Sequence, residues 1–220
     1  MISVLGAVSV AAAGGAAAVA GRWAVRRRDA LGRPVGFPVW SVSLLVLLAL
    51  GAAVPGAKRR MEERRLSRVA SELVGHAVAV HCQSTAGALV DAHGELGYVR
   101  WGPDGVPEAR TEIKRDPCHA LQRYLSGHRA LDETSVVAVH VLTHEAMHMR
   151  GETGEAKAEC EAVQRDRTTA ELLGATRDQA LALAQAYWRT VYPRMPDDYR
   201  SSDCAPGGRW DEQLETAPWA

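Results

Sequence analysis

The sequence predicts an α+β protein in which an N-terminal transmembrane hairpin is followed by a small antiparallel sheet and then by a helical bundle. Three observations predict it. Two uncharged apolar stretches lie before residue 57, short alternating segments run from His76 to Lys114, and from Cys118 onward the apolar residues recur with a helical period.

The apolar stretches come first. Residues 2–21 and 37–56 are each about the length that crosses a bilayer, and the second, with Leu44, Leu45, Val46, Leu47, Leu48 and Leu50, is the more strongly apolar. The first is rich in Ala and Gly, which contribute little insertion energy, and its Ala-rich end also resembles a signal-peptide cleavage region. Against cleavage, no basic residue precedes it. Arg22, Arg26, Arg27, Arg28 and Arg33 lie between the stretches, which places that short loop in the cytoplasm. Lys58, Arg59, Arg60, Arg64 and Arg65 follow the second stretch and match the loop in number, so the tie is broken by the first span, which has arginines only behind it. The expected arrangement is a 1–57 membrane anchor in the lipid bilayer of the cell membrane, with domain 58–220 outside the cytoplasm.

Cysteine usage gives an independent reading of the compartment. Cys82, Cys118, Cys160 and Cys204 are even in number, dispersed and free of any CxxC pair, which indicates two disulfides in an oxidising compartment; four buried thiols in a cytosolic domain are the alternative. Of the three possible connectivities, Cys82 with Cys118 and Cys160 with Cys204 is favoured. Lys and Arg number 26 against 26 Asp and Glu, so no whole-molecule field points to nucleic acid.

Residues 58–74 carry Met61, Leu66, Val69, Ala70 and Leu73 at helical spacing and predict a juxtamembrane helix. His76–Cys82, Ala88–Val90, Gly97–Trp101 and Ala109–Lys114 read as strands, with turns at His93-Gly94 and Gly102–Gly105. Four helices follow. The first runs from Cys118 to about Ser126, and the second starts after an N-cap at Asp132 or Thr134 and ends near Arg150. The third runs from Glu155 toward Leu173 and the fourth from Asp178 to about Val191, stopped by Pro193 and Pro196. The tail from Ser201 has no apolar periodicity and is expected to wrap the surface, tied by Cys204.

The second of these helices carries His144-Glu145-Ala146-Met147-His148. Two histidines four residues apart project from one helical face and take adjacent corners of a tetrahedral Zn2+, while Glu145 lies where a carboxylate reaches the activated water as a general base. Val136, Val137, Ala138, Val139, Val141 and Leu142 make the helix apolar enough to bury. The third ligand is expected at Glu155, just after the glycine-containing turn, with Glu152 in that turn as the alternative. Glu159, one turn further on, is placed to hydrogen-bond the far nitrogen of a ligating histidine. His140 shares the face of His144 and is read as packed in the bundle, with a substrate-side role as the alternative. Tyr187, Tyr192 and Tyr199 are candidate transition-state donors, among which the sequence does not choose.

An HExxH helix followed by a second helix bearing Glu155-x-x-x-Glu159 resembles the gluzincin metallopeptidases. The stretch His144–Gln164 is similar to membrane-anchored actinobacterial proteins carrying a His-Glu-x-x-His…Glu-Ala-x-Ala-Glu-Cys signature. The resemblance implies Zn2+ held by His144, His148 and Glu155, water activated by Glu145, and Glu159 behind the ligands. It departs from the pattern in two places: the gap from His148 to Glu155 is much shorter than in thermolysin-like enzymes, and Gly154 stands where metzincins have a third histidine. The expected function is zinc-dependent hydrolysis of a peptide or protein substrate, aligned against an edge strand; a binding or scaffolding module that keeps the fold without turnover is the competing expectation.

Overall fold

The computed structural model describes residues 4–84 and 95–220, and the chain divides into two compact units, Met1–Met61 and Glu62–Ala220. The first unit contains helix α1 (Val4–Val25) and the beginning of α2 (Val39–Val74). They form an antiparallel hairpin in which Ser9 Oγ donates to Ala49 O at 2.8 Å and the Leu45 side chain lies beside Gly15. In the connecting loop the Asp29 carboxylate accepts from the backbone of Leu31 and Arg33 and from the Arg33 guanidinium. Both helices are long and apolar enough to cross a membrane. Leu44, Leu47, Leu50 and Val54 are left exposed by the fold, which suits a lipid environment. The juxtamembrane helix expected from residue 58 is part of α2, which contains Pro55.

In the second unit, β1 (Ala79–Cys82), β2 (Gly97–Trp101) and β3 (Pro107–Ile113) form one sheet in the order β1-β3-β2. The tight turn after Trp101 makes β2 and β3 antiparallel. β1, however, pairs with β3 in parallel, with Val80 opposite Thr111, so the sheet is mixed where an antiparallel one is expected. Alternation in the sequence marks strands but does not encode their direction, and here β1 joins the far side of β3. Side chains of α2 cover part of the remaining β1 edge: Ser71 Oγ, Ser67 Oγ and Glu63 Oε1 accept from the backbone N–H groups of Val78, Val80 and Cys82. The strand expected at Ala88–Val90 and the turn at His93-Gly94 lie outside the described residues.

Helix α3 (Arg115–Leu125) begins three residues before Cys118, since Pro117 falls in the first turn, where its missing N–H costs nothing. Asp132 caps α4 (Glu133–Met149) by accepting from Ser135 N at 2.8 Å. α5 (Glu155–Leu172) and α6 (Arg177–Ala186, opened by a Thr176–Gln179 capping box) follow. The last helical stretch then widens into a π turn at Tyr187–Val191 and ends in 3-10 turns at Tyr192–Arg194 and Asp197–Tyr199. α4 is the central element, buried over nearly its whole length between α3, α5 and the sheet. Leu66, Ile113, Leu121, Tyr124, Val139 and Leu142 form the core around it.

The disulfides are Cys82–Cys118, which ties β1 to α3, and Cys160–Cys204, which ties α5 to the tail. Gln164 also holds the tail: its amide donates to Trp210 O and accepts from Glu212 N, and the Arg165 guanidinium forks onto Glu212 with two 2.6 Å bonds. Because Cys160–Cys204 closes 44 residues of sequence, replacing both cysteines by Ala should lower stability by about 2–4 kcal/mol. Denaturant unfolding of the full chain in detergent, followed by tryptophan fluorescence, measures this loss.

Candidate metal centre

His144 and His148 stand one turn apart on α4, and their Nε2 atoms approach to 3.0 Å. α4 ends at once: Gly151, at a φ of 107°, takes the left-handed turn that a side chain disfavours. The chain therefore reverses within a few residues, and Glu155, the first residue of α5, comes back beside the histidines. Its Oε2 lies 3.2 Å from His144 Nε2 and 3.3 Å from His148 Nε2. These three side chains could hold a metal ion between them.

The partners of the other ring nitrogens show why. His148 Nδ1 faces the carbonyl of Glu152 at 2.7 Å, and His144 Nδ1 faces Glu159 Oε2 at 3.0 Å. A carbonyl and a carboxylate only accept, so each Nδ1 carries the hydrogen, and in neutral rings both Nε2 lone pairs turn inward. Two lone pairs and a carboxylate oxygen then converge on one point, an arrangement that requires a shared cation or an added proton. Without metal, protons fill that role. Burial disfavours a charge on His144, but Glu155 and Glu159 outweigh it and raise its pKa to about 9. The hydrogen bonds from His144 and His148 hold Glu155 far below the usual carboxylate range.

Glu145 projects from the next position of α4 and is 4% exposed. Burial pushes its carboxyl up to about 7, against the nearby histidines, which pull it down. Two residues of the sheet shape its place. Thr111 Oγ1 lies 3.3 Å from Glu145 Oε2, and a Cβ on Gly97 would sit 2.8 Å from Glu145 Oε1, so that position has no room for a side chain. Glu145, the three donors and strand β2 line one cleft of about 710 Å³. Val137, Val141, Val191 and Met195 form its apolar wall. Among the described residues β2 pairs with β3 alone.

Behind the donors lies a buried polar network. Glu159 takes His140 Nε2 at 2.9 Å on the same oxygen that faces His144, and the Tyr187 hydroxyl donates to its Oε1 at 2.6 Å. His140 Nδ1 meets Asp166 Oδ2 at 2.8 Å. Burial opposes the His140 cation, yet Asp166 and Glu159 raise its pKa to about 10. Glu152, the alternative ligand, is otherwise engaged, since its carboxylate accepts from Gly154 N and pairs with Lys157. Among the three tyrosines, Tyr187 is committed to Glu159, and the Tyr192 hydroxyl bonds the backbone of Ser201. Tyr199 lines the cleft, stacks on His144 at 5.7 Å and reaches Glu155 with its hydroxyl.

Asp166, Gly97 and Thr111 are not picked out by the sequence reasoning. Asp166 carries a legible signal, lying seven residues after Glu159 and so on the same helical face. Gly97 and Thr111 reach Glu145 only through the sheet and carry none. The fold and site thus define a class: two apolar helices followed by a disulfide-braced α+β domain with buried His and Glu groups able to hold a metal ion. Compared with protein-family models, curated proteins and solved structures, the chain matches none of them.

The raised histidine pKa values fix a pH dependence. Both His140 and His144 titrate above the 6.5 of a free imidazole. Their protonated forms therefore stabilise the metal-free protein fully below pH 6.5, and that stability is lost as pH rises through about 9 to 10. The melting temperature of chelator-treated protein should fall across this window. Saturating divalent metal should flatten or reverse the slope, since it binds the deprotonated His144 and binds it more tightly as pH rises.

Proposed function

We propose that the protein is a membrane-anchored, extracytoplasmic, zinc-dependent peptidase-like hydrolase with Glu145 as its general base. The observation that carries the proposal is the convergence of His144 Nε2, His148 Nε2 and Glu155 Oε2 beside a buried carboxylate in an apolar-walled cleft. Two imidazoles and one carboxylate make a donor set suited to catalytic zinc, leaving a position for water. Bound there, zinc would supply a Lewis acid that lowers the pKa of water and polarises a carbonyl.

The chain's own residues supply the rest. Glu145, with a pKa near neutrality, accepts the proton of the attacking water at its carboxylate and returns it to the departing amine. Thr111 and Gly97 keep that carboxylate in place. Tyr199, whose hydroxyl reaches Glu155 at the cleft, would turn that one donor from Glu155 to the oxygen of the attacked carbonyl. β2, which among the described residues stands at the edge of the sheet and along the cleft, would pair with the backbone of an extended peptide. Two disulfides support an oxidising compartment, and the arginines between the apolar helices support a cytoplasmic loop with the domain on the other side.

Full-length protein purified in detergent should contain close to one zinc per chain by elemental analysis and should cleave fluorogenic peptides. Glu145→Gln should keep the metal and lose cleavage by about 10²–10⁴-fold. Gly97→Ala, which pushes a methyl group into the Glu145 carboxylate, should also lose most activity with the metal retained. A zinc-replete wild type that cleaves nothing, or cleavage that survives Glu145→Gln, refutes the hydrolase reading.

A further inference from the structure

The mechanism above makes no use of His140, although it is buried and bonded through both ring nitrogens. A histidine that merely filled space would not need a carboxylate on either side. Its Nε2 shares Glu159 Oε2 with His144 Nδ1, at 2.9 and 3.0 Å. Its Nδ1 is held from the opposite direction by Asp166, and its ring lies flat on Tyr187, with centroids 3.6 Å apart and planes 11° off parallel. Tyr187 then closes the circuit by donating to Glu159 Oε1. Glu159 is consequently tied at both oxygens, by groups from α4 and from the π turn, and its remaining contact is the ring of the candidate ligand His144.

We infer that His140 is a positioning residue for the metal centre: backed by Asp166 and Tyr187, it fixes the Glu159 carboxylate, and through it the orientation of the His144 ring. The inference rests on the metal-centre reading given above. A buried carboxylate without donors turns toward whatever donor remains, so removing His140 frees Glu159 to follow His144 instead of holding it. The order of action is Asp166 on His140, His140 on Glu159, and Glu159 on His144. His140 thus acts through Glu159, with both of its ring nitrogens engaged by carboxylates.

The test uses the full chain in detergent micelles, stripped by a chelator and titrated with Zn2+ against a chromophoric competitor and with Co2+ by its visible absorption. His140→Gln and Asp166→Asn should each weaken Zn2+ binding by about 10–100-fold and should change the Co2+ spectrum, which reports ligand geometry. In a Glu159→Gln background the His140→Gln effect should shrink to within about threefold, because the link it acts through is gone. A purely structural role would move the melting temperature of the metal-free protein while leaving the Co2+ spectrum of the folded fraction intact. Tyr187→Phe removes a single hydroxyl from the same carboxylate and gives the same readout if His140→Gln fails to fold. Folded His140→Gln, Asp166→Asn or Tyr187→Phe protein with wild-type metal affinity and an unchanged Co2+ spectrum overturns the inference while leaving the metal centre standing. A wild type that binds no metal overturns both.

Discussion

Two imidazole nitrogens held 3.0 Å apart, with a carboxylate oxygen 3.2 and 3.3 Å away, are the constraint on which the rest of the domain is organised. Their Nδ1 partners, the Glu152 carbonyl and the Glu159 carboxylate, only accept hydrogen bonds, so the two rings turn their basic faces on each other. That arrangement is unfavourable until a positive charge joins it. It persists because α4 is locked between α3, α5 and the sheet, and because the Gly151 turn allows α5 to return directly against it.

The same constraint explains the polar content of what is otherwise a core. Glu145, Glu155, Glu159 and Asp166 gather around His140, His144 and His148, so four carboxylates face three imidazoles at the α4–α5 interface and its cleft. Burying an ionised carboxylate is costly unless it is paired and hydrogen-bonded. Here Glu159 is satisfied three times over, Asp166 is paired with His140, and Glu155 stays 41% exposed at the cleft. Glu145 is the exception. With Thr111 as its neutral partner and burial dominating its environment, its carboxyl is pushed up to about 7. A metal ion held by the histidines and Glu155 would supply positive charge to this cluster of carboxylates.

What the sequence discloses of this arrangement follows from the range of the interactions involved. The spacing of His144, His148, Glu155 and Glu159 is local, set by helical turns and one glycine, and it can be read from the chain without coordinates. The caps at Asp132 and Thr176 and the helix ends are local in the same sense, and they fall within a few residues of the pattern. The direction of β1 is different. It depends on which side of the β2–β3 hairpin the strand joins, and the residues that cover its outer edge, Glu63, Ser67 and Ser71, read in sequence as ordinary polar positions of a helix. Gly97 and Thr111 are invisible for the same reason, since their meaning comes from a carboxylate more than thirty residues away. The choice of Tyr199 among three tyrosines needs the tertiary path of the tail.

That path links the braces to the chemistry. Cys160 follows Glu159 directly on α5, and its partner Cys204 lies five residues beyond Tyr199. The disulfide therefore clamps the segment carrying the cleft tyrosine onto the helix carrying the carboxylate behind the metal donors, while Gln164 and Arg165, one turn further along α5, fasten the chain again at Trp210 and Glu212. The tail has no apolar periodicity of its own, and only scattered residues, among them Trp210 and Trp219, pack against the core. Covalent and polar attachment to α5 adds to that packing, with Tyr199 stacked on His144 on one side while His140 and Tyr187 hold Glu159 on the other. α5, with Glu155 at its first turn, is thus tied to the tail through Cys160, Gln164 and Arg165 and to the interior through Glu159.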